Sequence, residues 1–509
     1  MRLSRLVSGL PIKSILGDEA VEIRGIACHS GQAAEGFLFA ALPGFRQEGR
    51  RFIPEALARG ARAILVDRPA EAPGAVQVIV PEVRSALALL SAAFYREPSA
   101  QLTLVGLTGT NGKTTTAYLI ESILQEGGRK VGVLGTVNYR FNGRTQPAPT
   151  TTPESLDLQR HLRSMVEAGV THAVMEVSSH ALALQRVRGC HLDLALFTNF
   201  TRDHLDFHGS LEAYFEAKEL LFTQILGESR KGRRFAVING DDPWGERMGR
   251  RACAPVVRYG LKSPAEVRPE EVGAGPEGLR ARLVTPRGGL TVTSPLIGRH
   301  NLYNILAAVT VGCLLEVPLP AIAAGVERLG RVPGRLERVP GGAGLRVYVD
   351  YAHTPDALER VLETLRETCP GRLIVVFGCG GDRDRGKRPP MGRAAAERCE
   401  LAVVTSDNPR SEDPLAIIAE VEKGVVAAGR KKLSPQELRE KGAGEGYAVV
   451  PDRREAIGLA VTCARPGDVV LIAGKGHEDY QILGEKRIPF DDCREAAEAL
   501  AWKRGKEDH

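Results

Sequence analysis

The chain has 509 residues, of which 43% are hydrophobic and 26% are charged. This composition argues against a mainly disordered chain, and the length exceeds the ~250–300 residues at which one hydrophobic core stops growing, so about three domains are expected. The net charge is only +6, and the densest basic spots are the short stretches 383–388 and 430–432. A surface that follows the phosphates of a nucleic acid is therefore not expected, whereas a local pocket for a small anion is compatible with this charge.

The cysteine spacing and the absence of long apolar runs favour a reducing, cytoplasmic compartment. Nine cysteines are widely spaced, and no Cys-x-x-Cys pair occurs. We therefore expect free thiols in a reducing environment rather than a disulfide framework or a zinc site. The N-terminal segment lacks the pattern of a secretory signal, and no run approaches ~18 uncharged apolar residues. A cytoplasmic protein without a membrane span is expected.

The pattern of apolar runs divides the chain into three predicted domains. Residues 1–98 read as a small mixed unit, with strands in GFLFAAL and ARAILVD and a helix in FIPEALARG between them. Residues 99–330 alternate strands with helices, the strands lying in QLTLVGLT, HAVMEVS, LDLALFTNF and RRFAVING. Such alternation predicts a mainly parallel sheet that is covered on both faces.

The pattern restarts after the Gly/Pro/Arg-rich stretch near residue 330. In 331–509 four apolar strands end in polar or glycine-rich tips, in LRVYVDYA, RLIVVFGCG, LAVVTSDN and DVVLIAGKG. This spacing predicts a second doubly wound, Rossmann-like sheet, whose ligands bind beyond the carboxyl ends of the strands. The predicted fold class is therefore α/β with three domains, and the central domain resembles a P-loop ATPase.

A phosphate-binding loop follows the first central strand. It consists of Gly109, Thr110, Asn111, Gly112, Lys113, Thr114 and Thr115. Glycines let the backbone N–H groups face an anion, Lys113 can reach the terminal phosphates of a nucleotide, and the Thr114 hydroxyl can bind magnesium. The common spacing would place a glycine at position 107, which is Leu107 in this chain. The nearest glycine is Gly106, so the loop is a spacing variant. We predict that it binds ATP.

Two further strand ends carry candidate metal ligands. Glu176 ends the strand in HAVMEVS, and the run 198–208 places histidines and carboxylates, including His204, after the next strand. A phosphate loop alone is also typical of motors, switches and transporter subunits. The addition of a carboxylate and an imidazole at neighbouring strand tips favours metal-assisted phosphoryl chemistry.

Eight ordered motifs give the chain a specific resemblance. They are GTNGKTT, MEVSSHAL, TNFTRDHLDFHG, GRHNLYNILAA, DYAHTPD, FGCGGDRDRGKRP, SDNPR and AGKGHEDYQ, and the resemblance spans about residues 25 to 492. In this order they resemble the Mur ligases of peptidoglycan synthesis. The resemblance implies an N-terminal domain for a uridine nucleotide, a central domain for ATP and a C-terminal domain for an incoming amino acid.

The resemblance also implies an activity. It is the ATP-dependent joining of meso-diaminopimelate to UDP-N-acetylmuramoyl-L-alanyl-D-glutamate through an acyl phosphate, with magnesium as the metal and small molecules as the partners. A monomer without nucleic-acid or membrane partners is expected. The alternatives are a lysine-adding ligase of the same family, a folylpolyglutamate synthetase, and a P-loop switch or binding module without turnover.

The resemblance assigns residues to the ATP and metal site. Lys113 and Thr114 match the residues that contact phosphates and magnesium, and Glu176 and His204 match metal ligands. Lys218 matches a lysine that family members carry as a carbamate, although by its own sequence context it reads as a solvated helix lysine. Further ATP-binding residues implied by the resemblance are Asn301, Asn304, Arg335, Asp350 and His353.

The resemblance assigns two other groups of residues. Those implied for the uridine-nucleotide substrate are Ser30, Thr151, Thr152, Ser178 and Arg186. The chain departs from the family pattern nearby, at His29, Gly31, Glu48 and Leu184, and Cys493 is an additional residue near the C-terminus. Those implied for the amino acid are Arg383, Asp407, Asn408, Pro409, Arg410, Gly474 and Glu478. The planar guanidinium of Arg410 suits the second carboxylate that distinguishes diaminopimelate from lysine.

Overall fold

The computed structural model describes residues 1–44, 48–262, 264–342, 344–441 and 444–507. Contacts divide the chain into two compact units. The first contains residues 1–269, 283–290 and 303–325, and the second contains residues 270–282, 291–302 and 326–509. This division into two units leaves the three domains predicted with boundaries at residues 98 and 330 as a prediction.

The first unit begins with a small sheet. Its strands run in the order β1-β5-β4-β3-β2, with β1 antiparallel to β5 and the other neighbours parallel. Val78 and Leu65 on one face and Ile64 and Phe39 on the other are buried in separate apolar clusters. The elements are α1 (Leu3–Val7), β1 (Ser14–Leu16), β2 (Gly25–Ala27), β3 (Phe37–Ala40), α2 (Ile53–Ala58), β4 (Ala63–Val66), β5 (Val76–Ile79) and α3 (Val83–Phe94).

The larger sheet of the first unit carries the phosphate loop. Its order is β13-β12-β11-β6-β10-β7-β8-β9, and all neighbours from β13 to β7 are parallel. The elements are β6 (Thr103–Thr108), α4 (Lys113–Glu126), β7 (Val131–Leu134), β8 (Asn138–Phe141), β9 (Arg144–Pro147), α5 (Ser155–Glu167), β10 (His172–Glu176), α6 (Ser179–Ala183), β11 (Leu194–Phe197), α7 (Leu205–His208), α8 (Leu211–Leu220), α9 (Leu226–Glu228), β12 (Phe235–Asn239), α10 (Pro243–Arg251) and β13 (Val256–Tyr259).

The apolar character of these strands explains why the sheet is buried on both faces. Every residue of β7 and β11 is buried, as expected for parallel strands between two layers of helices. Because β6 lies between β11 and β10, the loop after β6 is next to the carboxyl ends of both neighbours. The topology therefore brings the phosphate loop, Glu176 and the segment after Phe197 to one edge.

The segment between residues 268 and 328 is divided between the two units. Its strands form a three-stranded sheet in chain order, and alternate residues of β15 and β16 are buried, the period-two pattern of a sheet with one covered face. The elements are β14 (Arg268–Gly275), β15 (Gly278–Thr285), β16 (Gly288–Ser294), α11 (Arg299–Leu314) and α12 (Leu319–Arg328).

The second unit contains a six-stranded sheet and a hairpin. The order is β17-β18-β22-β19-β20-β21, with only β17 antiparallel to its neighbour. The elements are β17 (Glu337–Val339), β18 (Arg346–Asp350), α13 (Pro355–Arg366), β19 (Leu373–Phe377), α14 (Arg388–Arg398), β20 (Leu401–Val404), α15 (Pro414–Ala427), α16 (Pro435–Lys441), β21 (Gly446–Val449), α17 (Arg453–Cys463), β22 (Val469–Ala473), β23 (Tyr480–Leu483), β24 (Lys486–Pro489) and α18 (Asp492–Glu507).

Shorter helical turns connect several of these elements. Four are 3₁₀ turns and one is a π-helical turn, at Ser30–Gln32, Gly49–Phe52, Pro98–Gln101, Arg385–Lys387 and, for the π turn, Leu221–Ile225.

The predicted α/β fold class is confirmed, with a parallel sheet around the phosphate loop and a second parallel sheet toward the C-terminus. The strands predicted in the central and C-terminal segments are present as β6, β10, β11, β12, β18, β19, β20 and β22. Within the described residues, no helix has the length and apolar character needed to cross a bilayer.

Candidate active site

The loop after β6 turns through two glycines with positive φ angles, Gly109 at 147° and Gly112 at 86°. A Cβ atom on Gly109 would clash with Thr198 Oγ1, and one on Gly112 would clash with Asn304 Oδ1. Both positions therefore favour glycine for conformation, and a side chain at either would also displace a polar side-chain atom. The loop leads directly into the N-terminus of α4, whose N–H groups and dipole favour an anion.

Residues after β11 brace this loop. Thr198 Oγ1 donates to the carbonyl of Asn111 at 2.6 Å, and Asn199 both donates to that carbonyl and accepts from the Asn111 N–H, each at 3.0 Å. The Thr110 N–H donates to the Asn199 carbonyl at 2.8 Å. Thr115 is buried in the first turn of α4. These bonds hold the loop to the end of β11.

Two lysines donate to the same carbonyl of the loop. Lys113 Nζ donates to Gly109 O and to Thr110 O, each at 2.9 Å. Lys218 Nζ, from α8, also donates to Gly109 O at 2.9 Å. The structure thus places both predicted lysines at the phosphate loop, although they are more than a hundred residues apart.

Lys218 is 1% exposed, so the interpretation of it as a solvated helix lysine is wrong. Its side chain passes into the interior of the unit, with Nζ 4.5 Å above the centre of the Tyr214 ring. Burial, reinforced by the charge of Lys113, holds the pKa of Lys218 well below its usual range, while Asp203 opposes this shift. A buried lysine with a lowered pKa has a larger fraction of neutral, nucleophilic amine.

Glu176, the last residue of β10, faces the start of α4. Its Oε2 accepts from Thr114 Oγ1 at 3.0 Å and from Thr136 Oγ1 at 2.8 Å, and its Oε1 accepts from the Thr136 N–H at 3.0 Å. A hydroxyl and a carboxylate side by side are hard oxygen ligands of the kind magnesium prefers. We call Lys113, Thr114, Glu176 and Lys218 the phosphate-loop cluster.

His204 lies in a group of aromatic rings next to this cluster. Its ring is 4.8 Å from that of His180 and 5.9 Å from that of Tyr214, and the Tyr214 hydroxyl is 3.2 Å from Thr110 Oγ1. Burial and the neighbouring His204 lower the pKa of His180 to about 4. His204 has a positive φ of 52°, a conformation that is uncommon outside functional and turn positions.

Among the described residues, histidines, cysteines and carboxylates alone do not form a metal-binding group of three. A magnesium site here would therefore depend on the Thr114 hydroxyl, Glu176, His204 and an anionic form of Lys218. The oxygen chemistry of the Thr114–Glu176 pair fits such an ion.

Four of the five residues predicted for the uridine-nucleotide substrate are connected to Glu176. Thr151 Oγ1 is 3.1 Å from Thr136 Oγ1, and Thr152 Oγ1 donates to the Glu176 carbonyl at 2.9 Å and accepts from the Ser178 N–H at 3.0 Å. Arg186 Nη1 donates to the Thr152 carbonyl at 3.2 Å.

The fifth predicted residue has a different surrounding. Ser30 lies in the smaller sheet region, where its hydroxyl donates to Glu55 Oε2 at 2.7 Å, and His29 accepts from the Gly31 N–H at 3.1 Å. The departures from the family pattern at His29 and Gly31 therefore occur in a local turn.

Asn301 and Asn304, both on α11, have separate partners. Asn304 Oδ1 accepts from Thr116 Oγ1 at 3.3 Å within the first unit, which places it beside the loop. Asn301 Nδ2 donates to the Ile297 carbonyl at 2.8 Å within the second unit, on the wall of a cavity of about 470 Å³ that Arg335 also lines.

In the second unit, Asp350 ends β18 and is buried. Its carboxylate accepts from the N–H groups of Leu336 and Ala352 at 2.7 and 2.8 Å, and burial raises its pKa despite the nearby Arg335. The Arg335 guanidinium lies 4.7 Å from the centre of the Tyr351 ring. His353 Nδ1 is 2.8 Å from the Tyr351 carbonyl. The three predicted residues Arg335, Asp350 and His353 thus share one strand end.

The residues predicted for the amino acid lie at the same edge of this sheet. The Gly474 N–H donates to the Asp350 carbonyl at 3.1 Å, and Asn408 Nδ2 donates to Glu478 Oε2 at 2.8 Å. Between them lies Lys475, which is fully buried and contacts Asn408, Glu478 and Asp407. We call Asp407, Asn408, Lys475 and Glu478 the Lys475 cluster.

Arg410 lies in a loop with a φ of 53°. Its Nη1 donates to the Gly381 carbonyl at 2.8 Å, its main chain pairs with Leu483 of β23, and Pro409 before it is buried. Arg383 is exposed in the loop after β19. Both arginines therefore belong to the loops at the carboxyl edge of the second sheet.

Sequence reasoning missed Thr136 and Lys475. Thr136 follows the buried strand β7, whose end lies next to that of β10, so its position at a strand tip was a usable signal. Lys475 lies inside the motif AGKGHEDYQ, where a lysine between two glycines directly after an apolar strand was an equally available signal.

Comparisons with known proteins match nearly the whole chain. Three family descriptions match it in order: "Mur ligase family, catalytic domain" at residues 22–95, "Mur ligase middle domain" at 107–312 and "Mur ligase, glutamate ligase domain" at 334–476. A protein of Geobacter metallireducens named UDP-N-acetylmuramoyl-L-alanyl-D-glutamate–2,6-diaminopimelate ligase is 51% identical over 502 residues, covering 98% of each chain. The chain belongs to the Mur ligase family.

Two further comparisons extend this result. A protein of the same name from Geobacter sulfurreducens is 48% identical, with coverage of 98% of this chain and 99% of that protein. A solved structure of a UDP-N-acetylmuramoyl-L-alanyl-D-glutamate–2,6-diaminopimelate ligase superimposes on this Mur ligase with a TM-score of 0.69 at 33% identity, covering 99% of both chains. The phosphate-loop cluster lies in the segment matched by the middle-domain description, and the Lys475 cluster lies in the segment matched by the glutamate-ligase description.

Proposed function

We propose that this Mur ligase uses ATP to join meso-diaminopimelate to UDP-N-acetylmuramoyl-L-alanyl-D-glutamate, as a step of peptidoglycan precursor synthesis. The observation that carries the proposal is the pairing of Thr114 with Glu176 behind a lysine-bearing phosphate loop, in a chain that belongs to this family of ligases. The loop supplies a site for ATP, and a ligase needs such a site to activate a carboxylate. The phosphate loop and membership of a ligase family both support ATP as co-substrate.

In the first step, an oxygen of the D-glutamate carboxylate attacks the γ-phosphorus of ATP, which gives an acyl phosphate and ADP. Lys113 and the N–H groups at the start of α4 stabilise the charge on the transferred phosphoryl group. The loop braced by Thr198 and Asn199 is fixed beforehand, so little reorganisation is needed when charge develops.

In the second step, the amine of diaminopimelate attacks the acyl carbon. The tetrahedral intermediate collapses to the amide and releases inorganic phosphate, and the amine proton passes to solvent or to a nearby base. The carboxylate alone would be a poor electrophile, and its phosphorylation supplies the leaving group. The protein contributes mainly position and charge neutralisation.

Magnesium is the proposed metal, held by the Thr114 hydroxyl, Glu176, His204 and the carbamate of Lys218. When bound, it would neutralise phosphate charge and orient the phosphoryl group. Thr136, which donates to both oxygens of Glu176, orients that carboxylate.

The state of Lys218 follows from its burial. The neutral amine attacks the carbon of CO₂, so that an N–C bond forms, one C=O π bond of CO₂ becomes C–O⁻ and the N–H proton passes to solvent. The product is an anionic carbamate beside Lys113, since both lysines donate to Gly109 O. The lowered pKa of Lys218 supports this assignment.

The remaining residues divide between the substrates. Ser30, Thr151, Thr152, Ser178 and Arg186 are proposed for the uridine nucleotide. Asn301, Asn304, Arg335, Asp350 and His353 are proposed for ATP. Arg383, Asp407, Asn408, Pro409, Arg410, Gly474 and Glu478 are proposed for the amino acid. The corresponding domains are 1–98, 99–330 and 331–509, in a cytoplasmic monomer whose partners are these small-molecule substrates.

The test is phosphate release by the purified protein with ATP, magnesium and the uridine-nucleotide dipeptide. Diaminopimelate and L-lysine are supplied in separate reactions, and product masses are measured. Turnover with diaminopimelate alone is expected, because Arg410 suits the second carboxylate. Turnover with L-lysine alone would instead favour the lysine-adding alternative, and ATP binding without turnover would contradict the ligase proposal.

A further inference from the structure

Lys475 is a buried cation surrounded by the residues proposed to bind the amino acid. Its side chain is 0% exposed. Nζ lies 3.1 Å from Glu478 Oε2, 3.2 Å from Asn408 Oδ1 and 3.6 Å from Asp407 Oδ1. A lysine is seldom buried completely unless it is paired, and here its three partners all belong to one proposed substrate site.

The side chain of Asn408 is committed to the protein itself. Its Oδ1 accepts from Lys475 Nζ and from the Ile482 N–H, the latter at 2.9 Å, and its Nδ2 donates to Glu478 Oε2 at 2.8 Å. An amide oxygen has two lone pairs, so these two donors saturate Asn408 Oδ1. Asn408 therefore links Lys475, Glu478 and the backbone of β23.

The backbone of the 407–410 segment is fixed from the same direction. Gln481 Nε2 donates to the Asp407 carbonyl at 2.6 Å, and the Arg410 N–H donates to the Ile482 carbonyl at 3.2 Å. Stretch 475–484 thus contacts the 407–410 segment through a charged side chain, an amide side chain and main-chain bonds. Lys475 provides the one side-chain cation among these contacts.

The charges of the Lys475 cluster leave an acidic excess. One ammonium faces two carboxylates, so the formal sum of Lys475, Asp407 and Glu478 is 1 − 2 = −1. The neighbouring buried pair of Arg453 and Asp492 is neutral by itself. Arg453 also interacts electrostatically with Asp407 and Glu478, but the side chains of the cluster itself sum to −1, a charge that suits a cationic group of the ligand.

We propose that Lys475 is a positioning residue for substrate selection, a conclusion that rests on the proposed function. By holding Glu478 Oε2 and Asn408 Oδ1, it orients Glu478 so that Oε1 is presented to the distal ammonium of diaminopimelate. Asn408 acts with Lys475 in this role through its side-chain amide, which forms hydrogen bonds with Lys475, Glu478 and Ile482. Selection for the distal ammonium thus depends on a residue that does not touch it.

The test compares diaminopimelate with 2-aminopimelate, an analogue that lacks the distal amine. The measured quantity is the ratio of kcat/KM for diaminopimelate to kcat/KM for the analogue. Because a charge-assisted hydrogen bond is worth about 10- to 100-fold, Lys475→Met should lower this ratio by at least about tenfold. Asn408→Ala should also lower this ratio, because the substitution removes the second hydrogen bond to Glu478.

Arg372→Met is the matched control. Arg372, which is partly buried, forms an ion pair with the buried Asp468 at 2.7 Å, at the opposite edge of the same sheet, before β19 and β22. This variant loses a comparable pair without touching the Lys475 cluster, so its ratio should stay within about twofold of wild type. A thermal melt identifies folded variants, and Lys475→Gln, which keeps a donor but loses the charge, is measured alongside Lys475→Met.

The outcomes separate the two proposals. A wild-type protein that ligates neither amino acid would overturn the proposed function and this inference with it. A wild-type protein that ligates diaminopimelate, with an unchanged ratio in Asn408→Ala and in the folded Lys475 variants, would overturn this inference alone. An equal fall of the ratio in Arg372→Met would also overturn it, because the effect would then be structural.

Discussion

The phosphate-loop cluster and the Lys475 cluster both contain buried lysines, but they satisfy them differently. In the phosphate-loop cluster, Lys113 and Lys218 donate to the carbonyl of Gly109, a neutral group. In the Lys475 cluster, the ammonium faces the carboxylates of Asp407 and Glu478. The first cluster places two lysines on one neutral acceptor, whereas the second places its lysine against carboxylates and has a formal negative excess.

This difference indicates two ways of preparing a site for a charged ligand. The loop is suited to an anion because Lys113 and Lys218 both reach Gly109 O and the loop leads into the N-terminus of α4. The Lys475 cluster is ready for a cation, and its own lysine serves to fix acidic groups in place. Removing Lys113 should therefore lower turnover in the first region, whereas removing a buried cation should disturb structure or selection in the second.

The largest effect is expected for Arg453→Met, beside the Lys475 cluster. Arg453 and Asp492 are both completely buried and form a bidentate pair at 2.7 and 2.8 Å. Removing one partner leaves a buried charge without compensation, so unfolding free energy should fall by about 3–5 kcal/mol. Urea unfolding monitored for the whole chain measures the shift of the transition.

Arg338→Met is the control for this comparison. Arg338 pairs with Glu277, but both side chains are more than half exposed, so the change should be within about 0.5 kcal/mol. Equal decreases in unfolding free energy for Arg453→Met and Arg338→Met would contradict the view that burial of the ion pair determines the loss of stability.

Lys113→Met in the phosphate-loop cluster should lower turnover while leaving the fold intact, the opposite of the expected result for Arg453→Met. Loss of one preorganised donor to a developing charge lowers kcat by about 10²- to 10³-fold. The fold should be retained, because the bonds of Lys113 Nζ to Gly109 O and Thr110 O lie within one loop and join no distant elements. Phosphate release and circular dichroism measure the two quantities.

Lys130→Met serves as the control, since Lys130 is exposed in the same unit. It should keep wild-type turnover. Retained turnover in Lys113→Met would contradict the assignment of the loop, and an unfolded Lys113→Met would show that the lysine serves structure first.

The sequence predicts the strand–loop–helix of the phosphate site because glycines and an apolar strand act locally. The strand ends that carry Glu176, Asp350 and Asp407 were predictable for the same reason, since apolar runs and their polar tips are adjacent in the chain. Their meeting at a sheet edge follows from parallel topology.

The burial of Lys218 was not predictable from its helix. The residues around it, EAYFEAKELLF, allow either an exposed or an inward side chain, and the partner that decides is Gly109 in a distant loop. Lys475 and Thr136 each follow a buried strand, which was a usable signal, but their partners Asn408 and Glu176 lie at the ends of other strands. Contacts between strand tips are a tertiary property that a local pattern does not contain.

Arg410→Ala tests how the second region selects the distal carboxylate of diaminopimelate, whereas the Lys475 variants test the distal ammonium. If Arg410 binds the distal carboxylate, kcat/KM for diaminopimelate should fall about 10- to 100-fold while that for L-lysine changes little. Arg494→Ala, an exposed arginine on α18, is the control. An equal loss with both amino acids would point to a collapsed loop rather than a lost carboxylate contact.

The smallest effect concerns the pH dependence of stability, and it distinguishes the lysine of the first region from its counterpart in the second. Because the pKa of Lys218 is lowered on folding, the unfolded chain binds a proton that the folded chain lacks between the folded and the unfolded pKa. In that window stability rises with pH, by at most about 1.4 kcal/mol per pH unit, and the rise ends near the ordinary lysine pKa of ~10.4. Lys218→Met should lack this contribution.

The measurement is the difference in unfolding free energy between wild type and Lys218→Met, in CO₂-free buffers so that Lys218 remains an amine. Other titrating groups cancel in the difference, so a positive slope that levels off at alkaline pH is expected. Parallel curves would mean that Lys218 keeps its ordinary pKa despite its burial. The neutral amine proposed to attack CO₂ would then be scarce. Lys218 would be a charged lysine like Lys475, which contradicts the difference drawn between the two regions.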